Sequence, residues 1–186
     1  DFTAKRLAEI SGLIFFFLGL ALFIALFTYS PDDPNFIFPD NTKIKNFFGF
    51  QGSFVSDLFF QSVGLIAYLI SLTFIITGIN LLRSKEFILI IENTFFAVLY
   101  CIFGSLFLTH FYSDAFTLYI NGNGGFLGNL LNQSFLNQIL LINSQISYYI
   151  LIILILLLFL KSINFNPRKF YQSIRKKQKL YLELNL

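Results

Sequence analysis

Few side chains in this sequence are of a type that does chemistry. The one histidine, His110, stands beside Tyr112 and Asp114 at the end of an apolar stretch. A hydrolase would need a nucleophile, a base and an orienting acid within reach of one another, and a lone histidine in such a place ordinarily caps the end of a helix. The one cysteine, Cys101, excludes an internal disulfide and any CxxC pair. No GxxxxGK[ST], HExxH or paired histidine occurs, so neither a phosphate cradle nor a zinc site is expected. Asp57, Glu9 and Glu92 fall at the edges of apolar stretches, where Lys5, Arg6, Arg83 and Lys85 can pair with the two glutamates. None is forced to the middle of a stretch, so a proton or ion path has no obvious carrier. No cofactor, metal or catalytic residue is expected in this chain.

The elements that position these groups follow from composition. Of 186 residues, 56% are hydrophobic and 12% charged, and the mean hydropathy is +0.71. Average globular chains carry roughly 25% charge. No charge falls between Asp114 and Lys161, and the solvent that tolerates this is a bilayer. About 20 apolar residues cross one, and four segments qualify: residues 10–29, 58–82, 93–111 and 139–160. The run Phe87–Ile91 before the third is amphipathic.

Eleven of the 13 basic residues lie before the first span, between the second and third, or after the fourth. By the positive-inside rule both termini are cytoplasmic, and the two longer loops face outward. The fold class is therefore an all-α membrane protein, a four-helix transmembrane bundle with short interfacial helices in its outer loops. Residues 1–162 form the membrane domain and 163–186 a basic juxtamembrane tail, the start of a cytoplasmic linker. Its Arg168, Lys169, Arg175, Lys176, Lys177 and Lys179 are candidates for anionic lipid headgroups, and its last residues, Leu180 to Leu186, alternate with a strand-like period of two. With Asp at position 1 and no Met, a longer parent is expected.

Small residues predict where helices approach closely. Gly12 and Gly19 mark span one, Gly64, Ala67, Ser71 and Gly78 span two, and Ala97, Cys101, Ser105 and Thr109 span three. Spans one to three are expected to share a tight interface, leaving the inner half of span four to lipid.

The loops carry ordered motifs. Span one exits through Tyr29-Ser30-Pro31-Asp32-Asp33-Pro34, a rigid turn. Asn46, Gly49 and Gly52 follow at three-residue spacing, then Ser56-Asp57 and, further on, Gly64. The second loop holds Gly124-Gly125-Phe126-Leu127-Gly128. In this order the features resemble the four-span N-terminal domain of the FtsK/SpoIIIE DNA translocases. That family shows a Tyr-Ser-x-x-Asp-Pro-like exit, an Asn-x-x-Gly-x-x-Gly loop with Asp before span two, and Gly-Gly-x-Leu-Gly before span four. The resemblance covers roughly residues 8 to 162. Ser71 stands where many members carry Pro, which leaves the usual kink of span two open, and Trp is absent.

The resemblance implies a domain that anchors and oligomerises a septal DNA translocase, hexameric in this family, acting in cell division and chromosome segregation. It implies a bacterial inner-membrane location, contacts with other division-septum membrane proteins, and a motor using ATP and Mg2+ that alone touches DNA. Pro31, Asp32, Asp33, Pro34, Asn46, Gly49, Gly52, Asp57, Gly64, Gly124, Gly125 and Gly128 are the structural or interaction candidates. The alternative from another class is a small multi-span transporter or permease subunit. It predicts polar residues converging in mid-membrane and an inverted repeat; neither is found.

Overall fold

Uncharged runs of Leu, Ile and Phe have no water to satisfy their backbone, so each must close its hydrogen bonds within a helix. The computed structural model describes residues 2–34, 43–113, 120–168, 171, 172 and 175, and no strand occurs among them. Seven α-helices follow in order: α1 Phe2–Phe27, α2 Gly49–Val63, α3 Ala67–Ser84, α4 Ile88–Phe111, α5 Gly125–Asn132, α6 Phe135–Ile142 and α7 Ser144–Ser162. Four stretches are long and apolar enough to cross a membrane: α1, the α2–α3 segment, α4 and α7.

Three boundaries differ from the sequence reading. Residues 58–82 are not one helix, because the chain breaks at Gly64, with φ 66° and ψ −147°, and passes through a 3-10 turn over Gly64–Ile66. Tyr29 bonds Asp57 and packs edge-on against Phe60, while Asn46, just before α2, reaches Ala25. Residues near both ends of α2 thus meet the last turns of α1, so α2 crosses that helix, and the spanning part of this segment is α3. The helix of the third span starts before Asn93: the run Phe87–Ile91, all but Phe87, lies in α4. Residues 139–142 belong to α6, because Asn143 accepts the Ile146 N–H at 3.1 Å and starts a new helix there.

Two pairs of helices form the bundle. The most extensive contact is α1 on α3, and α4 on α7 is next. The first seam depends on glycine. A Cβ on Gly78 would lie 2.5 Å from the backbone nitrogen of Phe16, and one on Gly19 would lie 2.6 Å from that of Ile75. The second seam is built of large side chains, Leu106 and Leu151 among them, with Phe107, Phe111, Tyr112 and Tyr148 packed at one end. The expected interface of spans one to three is therefore corrected. Span three pairs with span four, whose Ile155, Leu158 and Phe159 pack inward while Ile153, Leu156 and Leu157 remain exposed.

The ends of the bundle differ in chemistry. At the end bearing Arg6, Lys85 and Lys161, Glu9 holds Arg6 at 2.7 Å and Lys85 at 2.6 Å, which joins α1 to the α3–α4 turn. The Glu9 pairing follows the sequence expectation. There α7 stops in a left-handed cap: Asn164, at φ 53°, donates to Lys161 O, and Phe165 N to Leu160 O. Asn80 of α3 grips that cap, donating to Ile163 O at 3.1 Å. Within the spans, Thr73 bonds both Tyr100 and Ser162 at 3.0 Å, and Asn93 donates to Thr77 at 2.8 Å.

Candidate functional site

The motif residues gather at the opposite end, in two hydrogen-bonded knots. The first is built by Asp33 and Asn46. Pro31 and Pro34 flank a tight turn in which Asp33 N donates to Ser30 O. Buried Asp33 then accepts the backbone N–H groups of Lys45 and Asn46 through its two oxygens, each at 2.8 Å. Asn46 in turn donates through its amide to Ala25 O at 2.9 Å and accepts Phe48 N at 3.1 Å. Its backbone carbonyl accepts Gly49 N, which opens α2. One carboxylate and one amide thus satisfy the unpaired backbone groups of the loop and tie it to the free carbonyl at the end of α1.

Gly52 is glycine because the Asn46 side chain rests on its Cα, leaving no room for a Cβ. Ser53 donates to Pro34 O at 3.0 Å, and Tyr29 to Asp57 at 3.0 Å. Asp32 and Pro31 are exposed, and Asp32 pairs with Lys45 at 3.0 Å, holding that ammonium above the ordinary lysine range. Gly49 has φ 63° with open space around it.

The second knot joins Gly64 to the glycines of the other loop. Gly64 adopts a backbone conformation that side chains disfavour, and the carbonyl of Asn123 lies where its Cβ would stand. Leu65 N donates to Asn123 O at 2.9 Å. The Asn123 amide donates to Tyr112 O. Gly124 and Gly128 lie flat against Ser105 O and Thr109 Oγ1 of α4, and Gly125 against the backbone of Ser62 and Val63. Ser105 and Thr109 do mark a close approach, chiefly to α5, and Ser105 also donates to Val63 O of the second apolar stretch at 3.0 Å.

α2 links the knots. Asp57 accepts from Gln61 at 3.5 Å, Gln61 Oε1 from Asn121 at 3.1 Å, and Asn121 O from Asn129 at 3.0 Å. Of the twelve interaction candidates, Asp33, Asn46, Gly52, Asp57, Gly64, Gly124, Gly125 and Gly128 make these contacts. Pro34 is buried with them, whereas Pro31, Asp32 and Gly49 sit at the rim. Ser53, Gln61, Asn121 and Asn123 were not singled out in the sequence; Asn123 between two glycines was the one available signal. His110 packs edge-on against Phe111, whereas Asp114 lies outside the described residues. Arg168 and Arg175 are exposed, and Lys169, Lys176, Lys177, Lys179 and the alternating segment 180–186 lie outside the described residues. No group of three or more His, Cys, Asp or Glu able to hold a metal occurs among the described residues.

The chain is similar to known proteins over most of its length. The "DNA translocase FtsK" of Rickettsia typhi is 27% identical over 156 residues, 84% of this chain and 20% of that protein. That of Rickettsia prowazekii is 27% identical over 157 residues, again 84% of this chain and 21% of the relative. The Azospirillum brasilense protein of the same name is 33% identical over 87 residues, 46% of this chain and 14% of its own. The chain thus spans about a fifth of the length of the two Rickettsia relatives. No solved structure matches. Residues 4–175 match the family described as the 4TM region of DNA translocase FtsK/SpoIIIE, and with nearly its whole length so covered, this chain belongs to that family.

Proposed function

We propose that this chain is the membrane anchor and interaction domain of a septal DNA translocase, set in the bacterial inner membrane with its basic end in the cytoplasm. The observation that carries the reading is the continuous hydrogen-bonded cap at the loop end. Two motif-bearing loops, 90 residues apart between Asp33 and Asn123, are locked onto one another through α2. A plain anchor needs only apolar length and flanking charge. A cap in which Asp33, Asn46, Asp57, Gly64 and Gly124 each hold a defined partner supports a surface shaped for other division-septum membrane proteins.

The parent's motor, fed by ATP and Mg2+ and alone in contact with DNA, follows residue 186 in this reading, and the domains assemble as a hexamer. The basic tail, from Arg168 and Lys169 through Arg175, Lys176 and Lys177 to Lys179, meets anionic headgroups as the chain leaves the bilayer, at roughly 1 kcal/mol per basic residue. The family match favours this reading over a transporter subunit.

The test is a fluorescent fusion of residues 1–186 in dividing cells. The wild-type fusion is expected in a band at mid-cell. Asn46→Ala, which strips the first loop of its tie to α1, is expected to remain in the membrane and spread around the whole cell. A wild-type fusion that is uniform from the outset overturns the septal role, and a mid-cell Asn46→Ala fusion overturns the assignment to the cap.

A further inference from the structure

Between the two helix pairs lies a groove of about 490 Å³. Its floor is Thr73 of α3 with Ala97 and Cys101 of α4, three small side chains that leave the helices standing apart. It is closed at both ends. Toward the basic end Asn93 and Thr77 bond across it. Toward the loop end Val63 and Leu127 line its top, and Ile66 sits against Gly104. Its mouth is the side where Thr94 and Val98 are exposed, and Phe15 and Phe74 also line it. The hydroxyls of Thr73 and Thr77 are engaged with Tyr100, Ser162 and Asn93, so apart from the Asn93 amide oxygen at its basic end the groove offers hydrocarbon.

We propose that this groove holds one acyl chain of a membrane phospholipid, retained far longer than the lipid around it. Length selects that occupant. From Asn93 to Ile102 the groove runs about 13 Å along α4 at 1.5 Å per residue, less than half of the roughly 30 Å of hydrocarbon that a spanning helix must cross, and its closed ends stop such a helix from threading it. An unbranched tail slides in sideways past Val98 and then touches α1, α3 and α4 together. Such a chain gains dispersion contacts on several sides that a lipid on the flat outer face of α7 makes on one. Empty, the groove would leave its floor without partners. The proposal rests on the spans lying in a bilayer and is independent of where in the cell the protein works.

The experiment uses the chain reconstituted in liposomes of phosphatidylethanolamine and phosphatidylglycerol, doped with a phospholipid carrying a photoreactive diazirine in its acyl tail. After illumination, adducts are mapped by mass spectrometry. Adducts are expected several-fold enriched on Phe74, Val98, Cys101 and Ile102 over Ile153, Leu156 and Leu157 of α7. Ala97→Phe, which fills the floor, is expected to remove the enrichment while leaving the α7 adducts unchanged. Val98→Trp at the exposed mouth, where folding is not at stake, is expected to reduce it as well. Labelling spread evenly over all lipid-facing residues overturns the proposal, as does enrichment that survives both substitutions. Efficient disulfide formation between copies carrying Val98→Cys and Cys101→Ser also overturns it, because a second protein copy would then occupy the groove.

Discussion

The α1–α3 seam and the α4–α7 seam solve the same problem with opposite materials. Both join antiparallel helices in a solvent as apolar as the helices, where burial of hydrocarbon gives no driving force. In the first, Gly12, Gly19 and Gly78 let two backbones touch, so that Gly78 meets the backbone of Phe16. In the second, Leu106, Leu151, Phe107 and Tyr148 hold the helices apart at side-chain length. A glycine contact has one register and no slack; a contact among leucines and aromatics can slide and repack. The α1–α3 seam is therefore set by backbone contact, and the α4–α7 seam by the packing of side chains.

Three substitutions would break or sharpen this contrast. Gly78→Leu is expected to cost about 3 kcal/mol or more, since the intruding side chain meets backbone that has nowhere to go; reversible unfolding in mixed micelles reads the loss. Leu151→Ala, at one of the few buried positions of α7, removes packing alone and should cost about 2 kcal/mol in the same assay, the low end for such a truncation, because lipid takes away the transfer part of the loss. If Leu151→Ala proved worse than Gly78→Leu, the ranking of the seams would be reversed. The smallest effect belongs to Tyr100→Phe, which deletes the bond to Thr73. A loss near 0.6 kcal/mol is expected, read in the same unfolding assay, because Ser162 still bonds Thr73.

Much of this was legible in the sequence, and the failures share one cause. Apolar length and charge placement gave the four spans, because both depend only on what a bilayer excludes. The motif order Asp33, Asn46, Gly52, Asp57 marked the right residues. It could not say that Asp33 caps Lys45 and Asn46, since a pairing across 13 positions has no periodic signature. Gly64 was noted as a small residue within an uncharged run, but hydropathy is blind to a positive φ, and so the break between α2 and α3 was missed. The stripe Ala97, Cys101, Ser105, Thr109 announced a close neighbour without naming it. Half of it receives Gly124 and Gly128, and the other half borders the groove. Spacing reports that a surface is low, and only tertiary structure reports what fills the depression.

The cap at the end of α7 has a mechanical corollary. Because Asn80 clasps Ile163 and Asn164, the polypeptide beyond Phe165 departs from a point fastened to α3 as well as to its own helix. A tug on that departing strand is divided at once between the last helix and the third, and through the glycine contacts it reaches the first. The forces meet the bundle broadside instead of peeling off its most lightly held member.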